Sequence, residues 1–305
     1  MIFNSPKIED KVWVDEIISK ASKEQTLICA DIPFGTNFLW SGMYNIKICR
    51  YKDFIVKCFG NEEDVINFTY PIGVGDVFDT LKNMLNYAFT QDKKVVFSGL
   101  TKQQTEELNI LFNNKITFEE NRDYAEYVYN SEDLANLAGR KYHSKRNHIS
   151  KFNKLYNYSF EEINDNNFND VIEIADNWCE NNKESINSGI NHEYCAIKLA
   201  LQNFEKLNLK GGLLRIDNKP VSMAIGEEIS KEAFVVHFEK AVEGYNGLYT
   251  VINKLFSQTL VDYKYINREE DLGIEGLRKA KLSYKPTILV EEFTSEKIGK
   301  DYVIL

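Results

Sequence analysis

The sequence predicts an α+β protein made of two similar domains, each a mixed sheet flanked by helices. One order of elements occurs twice along the 305 residues: hairpin, strand, glycine loop, helix, strand, helix, strand. The two glycine loops, Gly73 to Gly75 and Gly244 to Gly247, are separated by about 170 residues. Hydrophobic residues make up 43% and charged residues 27%, which provides enough apolar material for a core in each domain.

The first half alternates strands and helices after an opening helix with Ser5 as its cap and Pro6 at its first position. Asp76 is placed to cap the helix that follows the first glycine loop, and Thr101 begins the next helix. The predicted strands are 44–50, 54–59, 65–70, 94–98, 115–118 and 126–129.

The second half repeats this order, with Asp217 to Pro220 as its hairpin turn. The expected domains are 1–155 and 156–305, because helical periodicity is lost near residues 150 to 165. The predicted helices are 169–179, 193–207, 248–260 and 272–284. The predicted strands are 212–216, 221–227, 233–240, 263–267 and 287–290.

This element order is the core order of the N-acetyltransferase-like (GNAT) fold. In that fold two adjacent parallel strands splay apart, and the gap admits an activated acyl donor. The glycine loop leads into a helix whose N-terminal amides can hold phosphate. We therefore predict two tandem GNAT-like domains.

Charge and cysteine usage limit the possible functions. The net charge is −9, so the chain is not a general nucleic-acid binder and any phosphate site must be local. Five scattered cysteines without a Cys-x-x-Cys pair favour reduced core residues in a cytoplasmic protein. His143, His148 and His192 show no metal-ligand spacing with acids or cysteines, so no metal site is predicted. No apolar run is long enough to span a bilayer, and no signal peptide is apparent at Met1 to Lys7.

The two glycine loops differ in the residue that begins the next helix. Asp76 puts a carboxylate where an anion would bind, whereas Asn246, Gly247 and Leu248 leave that position uncharged. This contrast places the candidate active site in the C-terminal half, with Gly244 and Gly247 at a phosphate-binding helix start. The alternative is that both loops are only caps. Neither loop has the Arg/Gln-x-x-Gly-x-Gly/Ala pattern of acetyl-coenzyme-A binding.

Alternation along the strand before the second loop puts His237 and Glu239 on one face. Such a pair beside the expected gap could deprotonate an attacking amine or hydroxyl, or it could be a structural polar pair.

The stretch from 134 to 160 contains no acid and carries the bases Arg140, Lys141, Lys145, Arg146, Lys151 and Lys154. It could hold the phosphates of a large anionic donor or an RNA end, or it could be a solvated helix face. Residues 265–286 are also densely charged, with acids first and bases later, an order that the helix dipole alone would favour.

These two stretches carry a family resemblance. Residues 133–152 fit the pattern D-L-x-x-L-x-G-x-x-x-x-x-K-R-N-x-I-x-x-F, and 267–286 fit N-R-E-x-D-x-G-x-x-G-L-R-x-x-K-x-x-x-x-P. Both patterns resemble the lysylphosphatidylglycerol synthase (phosphatidylglycerol lysyltransferase) C-terminal domain family. The resemblance covers essentially the whole chain and implies a tandem GNAT-like fold related to the Fem aminoacyltransferases.

The resemblance implies transfer of an aminoacyl group from aminoacyl-tRNA to a hydroxyl, which belongs to phosphatidylglycerol in the membrane-anchored members. This chain lacks their transmembrane helices, so an anionic lipid acceptor would require a peripheral position at the membrane. The alternatives are an acyl-coenzyme-A N-acyltransferase and a non-catalytic module that binds RNA or an anion. No cofactor is expected beyond aminoacyl-tRNA or acyl-coenzyme A as co-substrate.

Candidate site residues follow from the matched motifs. Asp271 would orient or deprotonate the nucleophile, or else form only a salt bridge with Arg278, and Asn267 would bind the carbonyl region. His237 and Glu239 complete the catalytic candidates. The donor- and phosphate-binding candidates are Lys145, Arg146, Asn147, Gly244, Gly247, Arg268, Arg278 and Lys281.

Overall fold

The computed structural model describes residues 1–181 and 188–302, which form two compact units. Unit 1 contains Met1–Glu126, Glu270–Arg278 and the segment from Leu289 onward, and unit 2 contains Tyr127–Glu269 and Lys279–Ile288. This division differs from the expected domains 1–155 and 156–305. Residues 127–155 add a strand and two helices to unit 2, and the segment from Leu289 onward pairs with strands of unit 1.

The chain forms helices and strands in the following order. The helices are α1 (Lys11–Ala21), α2 (Phe34–Leu39), α3 (Ser41–Tyr44), α4 (Val77–Phe89), α5 (Lys102–Leu111), α6 (Ser131–Asn136), α7 (His143–Leu155), α8 (Phe168–Asn181), α9 (Ser188–Gln202), α10 (Leu248–Gln258) and α11 (Glu275–Leu282). The strands are β1 (Lys47–Tyr51), β2 (Phe54–Phe59), β3 (Val65–Phe68), β4 (Ile72–Gly73), β5 (Lys94–Phe97), β6 (Phe118–Glu120), β7 (Glu126–Asn130), β8 (Tyr158–Glu162), β9 (Lys210–Ile216), β10 (Lys219–Ser230), β11 (Ala233–Ala241), β12 (Tyr265–Asn267), β13 (Ile288–Val290) and β14 (Phe293–Ser295).

Unit 1 is organised around a sheet with the order β1-β2-β3-β5, and β4 also pairs with β2. Strands β3 and β5 run parallel in register from Val65–Lys94 to Phe68–Phe97. Asp76 accepts a hydrogen bond from the Asp79 amide at 2.9 Å, and Thr101 forms a capping box with Gln104. The predicted starts of α4 and α5 are therefore confirmed, and α4 buries its apolar face in the core of this unit.

The segment after Leu289 completes unit 1. Strand β14 pairs with β6, and Phe293 and Leu100 exchange backbone hydrogen bonds of 2.8 and 3.0 Å. Further along, Ile298 bridges Val95 on the edge of β5 and is fully buried. The Ser295 hydroxyl accepts a hydrogen bond from the Phe97 amide at 2.9 Å.

Unit 2 contains a seven-stranded sheet with the order β13-β7-β12-β11-β10-β9-β8. The hairpin of β9 and β10 has Asp217 and Asn218 at positive φ angles, as a tight hairpin turn requires. Strands β11 and β12 are parallel but pair only from Ala233–Tyr265 to Val235–Asn267. Strand β11 continues to Ala241, so a gap opens beside its second half. This gap is the splay that the predicted fold requires.

Several elements differ from the sequence-based expectation. The helices α2, α3, α6 and α7 and the strands β4, β8 and β14 were not predicted as separate elements. Residues 115–118 were expected as a strand, but β6 begins at Phe118. Helix α9 begins at Ser188 rather than residue 193 and ends at Gln202. In the chain outside 182–187 and 303–305, no helix is long and apolar enough to cross a bilayer.

Candidate functional site

The gap between β11 and β12 in unit 2 is bridged by polar side chains. His237 and Glu239 lie on one face of β11, as predicted, and Arg268 and Glu269 follow the end of β12. The splay of the two strands lets these side chains meet across the space where no backbone pairing occurs.

His237 lies between two carboxylates and is fully buried. Its Nε2 is 3.0 Å from Glu227 Oε1, and its Nδ1 is 2.9 Å from Glu269 Oε1. Burial opposes protonation of the imidazole, but the hydrogen bonds with both carboxylates prevail and raise the pKa of His237 to about 9. At neutral pH both ring nitrogens carry protons and donate, so neither is available to accept one from a substrate.

Arg268 forms the second bridge across the gap. Its Nη2 lies 3.0 Å from each carboxylate oxygen of Glu239. The Asn253 amide oxygen, oriented as its neighbours require, accepts from Arg268 Nη1 and Nε at 3.2 Å. The guanidinium also lies 5.1 Å from the ring centre of Tyr284 and 5.9 Å from that of Tyr129. This buried charge is thereby paired, hydrogen-bonded and packed on aromatic faces.

Lys145 approaches the same cluster from α7. Its Nζ lies 3.7 Å from the centre of the Tyr284 ring. The pKa of Lys145 is lowered to about 8, mainly by burial and also by the charge of Arg268, while the charge of Glu239 acts in the opposite direction.

Asn267 and Lys281 are buried beside the end of β12. The Asn267 side-chain oxygen accepts from the Glu269 amide at 2.7 Å. Lys281 Nζ donates to the Arg268 carbonyl at 2.5 Å and lies 5.7 Å from the Tyr127 ring centre. Both side chains therefore hold the turn that carries Arg268 and Glu269.

The basic stretch forms α7, which carries Lys145, Arg146, Lys151 and Lys154 and no acid. Arg146 Nη1 donates to the carbonyls of Leu137 and Gly139, both at 2.6 Å, so it fastens the loop before the helix. Asn147 lies exposed, with Nδ2 3.4 Å from His143 Nδ1. Lys151 and Lys154 are exposed and open to an anionic ligand.

The second glycine loop leads into α10 without a side-chain cap, as the sequence comparison of the two loops predicted. Gly244 and Gly247 have φ angles of +94° and +99°, which glycine adopts without strain. Gly247 also lies against α7, where an added Cβ would come within 3.7 Å of the Phe152 ring. The N-terminus of α10 and the basic helix α7 are thus neighbours in unit 2.

Asp271 and Arg278 form their own cluster in unit 1. The Asp271 side chain is fully buried and accepts from Arg278 at 2.7 and 2.9 Å and from Arg122 at 3.3 Å. It also accepts from the Gly273 amide at 2.9 Å, and Arg278 reaches Asp123 at 2.6 Å. The salt bridge that was one of two roles considered for Asp271 is present in the structure.

Sequence reasoning missed five residues of the unit 2 cluster: Tyr129, Glu227, Asn253, Glu269 and Tyr284. Glu269 and Tyr284 lie inside the second motif, and that position was the sequence signal that could have found them. Tyr129 enters the cluster because β7 joins a sheet whose other pairing partners come more than 100 residues later. No metal-binding group of three His, Cys, Asp or Glu side chains occurs within residues 1–181 and 188–302.

Solved structures give the fold. A crystal structure of a conserved protein of unknown function from Bacteroides thetaiotaomicron matches at 32% identity and a TM-score of 0.91, covering 98% of this chain and 100% of that one. L-PGS from Bacillus licheniformis matches at 13% identity and a TM-score of 0.67, covering 99% of this chain and 95% of that one.

More distant structures have the same architecture. FemX matches at 9% identity and a TM-score of 0.59, covering 98% of this chain and 96% of that one. A tandem GNAT protein from the clavulanic acid biosynthesis pathway matches at 8% identity and a TM-score of 0.50, covering 98% of each chain. The predicted fold of two tandem GNAT-like domains is confirmed.

Curated proteins give no significant match to the sequence. The protein family described as phosphatidylglycerol lysyltransferase, C-terminal, matches residues 30–295. This match confirms the resemblance that the two motifs carried and supports an acyltransferase-like function. The chain belongs to the phosphatidylglycerol lysyltransferase C-terminal family.

Proposed function

We propose that the protein transfers an aminoacyl group from aminoacyl-tRNA to a hydroxyl or amine acceptor. The observation that carries this proposal is the junction of α7 with the start of α10. Four basic side chains and no acid occur on α7 in a chain of net charge −9. The helix packs against the start of α10 where Phe152 meets Gly247, and no side chain caps that start. Such a surface suits the phosphates of a polyanionic donor.

The filled gap disfavours acyl-coenzyme A as the donor. In a GNAT enzyme the donor's acyl arm enters between the splayed strands. Here the links between His237 and Glu269, at 2.9 Å, and between Arg268 and Glu239, at 3.0 Å, occupy that space. Opening it would break two buried charged hydrogen-bonded pairs, which costs several kcal/mol. A donor that approaches along α7 leaves both pairs intact.

The phosphate contacts in this proposal fall mainly on exposed bases. Lys151 and Lys154 project from α7, and Arg140 precedes it on the surface. Arg146, Lys281 and Arg278, which sequence matching nominated, already bind backbone carbonyls or carboxylates. In the proposal, Arg146 and Lys281 hold the loops of unit 2 around the donor site, and Arg278 holds only the Asp271 cluster of unit 1.

The ester of aminoacyl-tRNA is already activated. The protein therefore has to orient the ester and the acceptor and to transfer the acceptor's proton. The acceptor heteroatom attacks the ester carbonyl, the bond to the terminal ribose oxygen breaks, and the acceptor proton ends on that oxygen. In the proposal the ester binds beside Lys145, near the end of the strand gap where Arg268 packs on the Tyr284 ring. Phosphatidylglycerol is one acceptor to test, because the family's name specifies it.

A transfer assay tests the proposal. The purified protein is incubated with a pool of radiolabelled aminoacyl-tRNAs and with phosphatidylglycerol vesicles, phosphatidylcholine vesicles or cell extract. We expect label to leave tRNA and enter an acceptor. The double substitution K151A/K154A should weaken tRNA binding and reduce the slope of log affinity against log salt by about 2. K206A, at an exposed lysine elsewhere in unit 2, serves as the control.

Each outcome has a distinct meaning. Transfer only with phosphatidylglycerol identifies a lipid hydroxyl as acceptor, and transfer only with extract moves the acceptor away from lipid. No loss of label under any condition contradicts the proposal. Binding of acetyl-coenzyme A in a calorimeter would then favour an acyl-coenzyme-A-dependent enzyme, and tRNA binding without transfer would indicate a non-catalytic module.

A further inference from the structure

A base must accept the proton that leaves the acceptor. The three candidate bases named from the sequence are already engaged in hydrogen bonds with charged side chains. His237 donates from both ring nitrogens to carboxylates. Both oxygens of Glu239 accept from Arg268. Asp271 accepts from Arg278, Arg122 and the Gly273 amide within unit 1. Each of these groups is already held by charged partners, so none of them is an unpaired base beside the acceptor.

Lys145 differs from these groups in its surroundings. Its amine lies over the Tyr284 ring at 3.7 Å and forms no hydrogen bond or ion pair with a carboxylate in the described part of the chain. The charged groups that face it are Arg268 and Glu239, which are paired with each other. An amine held on an aromatic face without an anionic partner keeps its nitrogen available.

The position of Lys145 also fits such a role. The residue is half-buried at the start of α7, on the helix proposed to bind the donor. Its nitrogen points to the Tyr284 ring, which Arg268 also contacts at the end of the strand gap. A substrate carbonyl bound at this end of the gap would place the attacking acceptor beside the amine.

We infer that Lys145 is a catalytic residue, the base that takes the proton from the attacking acceptor and returns it to the departing ribose oxygen. This inference rests on the proposed aminoacyl transfer. The acceptor's O–H or N–H bond breaks, its heteroatom bonds to the carbonyl carbon, and the proton passes to Lys145 Nζ. The carbonyl–ribose bond then breaks, and the ammonium gives its proton to the ribose oxygen.

The environment of the amine suits this cycle. Burial lowers the pKa of Lys145 to about 8, so a useful fraction of the side chain is neutral in slightly alkaline buffer. A lysine that served only as a phosphate contact would have to remain charged. The two roles therefore make opposite predictions for arginine at this position.

The test compares Lys145→Arg with Lys145→Ala in single-turnover transfer from pH 6 to 10. The wild-type rate should rise with pH and level off above about pH 8. Arginine keeps the charge and the aromatic contact but cannot lose its proton. K145R should therefore slow transfer at least about 100-fold, and its rate should no longer rise with pH up to about 8. The control Lys206→Arg, at an exposed site remote in sequence, should leave the profile unchanged.

A second measurement does not depend on activity. The lysines are reductively methylated with ¹³C, and their NMR signals are titrated. A signal that titrates near pH 8 should be present in the wild type and missing from K145R. Full transfer by K145R, or a Lys145 signal that titrates above pH 10, would overturn the inference. Failure of the wild type to transfer any aminoacyl group would instead count against the proposed function, whatever the titration shows.

Discussion

At the scale of single residues, unit 2 buries its charges in pairs. Glu227, His237 and Glu269 form one chain of hydrogen bonds, and Glu239 with Arg268 forms another. Removing one member of such a pair leaves an uncompensated charge in a poorly solvated place, which costs about 3 kcal/mol or more. Both pairs therefore fix the geometry of the strand gap as well as its polarity.

The protonated His237 makes the stability of the fold depend on pH. Its folded-state pKa of about 9 lies above the ordinary value of 6.5. The added stability is therefore complete below about pH 6.5 and is lost as the pH rises through 9. We predict that His237→Gln lowers the free energy of unfolding by about 3 kcal/mol at pH 6 and by about 1 kcal/mol near pH 10. Urea denaturation at the two pH values measures the difference.

His192 provides the matched control, because its side chain is exposed. His192→Gln should change the free energy of unfolding by less than about 0.5 kcal/mol at either pH. An equal deficit for His237→Gln at both pH values would mean that the buried imidazole is neutral in the folded protein.

At the scale of elements, the sheet of unit 2 depends on a glycine where β10 meets β11. Gly226 lies at a register shift, and an added Cβ would fall 1.9 Å from the Val235 carbonyl oxygen and 2.6 Å from the Phe234 ring. Because backbone cannot move aside cheaply, Gly226→Ala should destabilise the protein by about 3 kcal/mol or more. Thermal unfolding followed by circular dichroism tests this.

Gly42 on α3 is the opposite case and serves as the control. It is exposed, and nothing lies within 4 Å of an added Cβ. Gly42→Ala should be neutral or stabilise the protein by up to about 1 kcal/mol, because alanine restricts the unfolded chain. Comparable losses in both variants would show that the damage at Gly226 is not caused by the close contact.

The start of α10 is the element whose charge state matters most for the proposed donor. Asn246→Asp would place a carboxylate one residue before Gly247, the N-cap of α10, whereas Asp76 is itself the N-cap of α4. It should weaken aminoacyl-tRNA binding by roughly 5-fold at low salt and less at high salt, since a negative charge there competes with phosphate. Fluorescence anisotropy measures the affinity, and Asn246→Ser is the uncharged control. Unchanged affinity in Asn246→Asp would exclude this helix start from the anion site.

Regular elements were easier to predict than short ones. Helices α4 and α10 were predictable because each has an apolar face with helical spacing and begins after a glycine loop. Helix α7 was read only as a basic stretch, since just Ile149 and Phe152 are buried along it. The brief helices α2 and α3 carry no extended period that a sequence pattern could reveal.

At the scale of the whole molecule, the motifs located the charged residues but not their partners. The pairing of Asp271 with Arg278 could be considered from sequence because seven positions separate them on one turn and helix. The pairing of Arg268 with Glu239 and the contact of Lys145 with Tyr284 join segments far apart in the chain. Such contacts follow from sheet order and the splay of β11 and β12, which no local pattern encodes.

The division of the chain into units 1 and 2 could not be predicted from the sequence for a related reason. Each element was predicted from the residues next to it in the sequence. This approach assigns every element to the domain of its sequence neighbours and therefore gives a boundary at residue 155. The structure instead assigns Tyr127 onward to unit 2 and residues 270–278 and 289–302 to unit 1. Local sequence patterns do not distinguish a strand that pairs with a distant segment from one that pairs with its sequence neighbour.

The return of the chain to unit 1 has a consequence during synthesis. The ribosome synthesises the core around β5 early, but the segment that covers the β5 edge with Ile298 is made about 200 residues later. Unit 1 therefore remains incomplete, with the β5 edge unpaired, while all of unit 2 is translated. Unit 2, whose last segment ends at Ile288, can close first. The order of maturation is then the reverse of the order of translation, and a nascent chain stalled before Leu289 would expose the unpaired edge to chaperones and proteases.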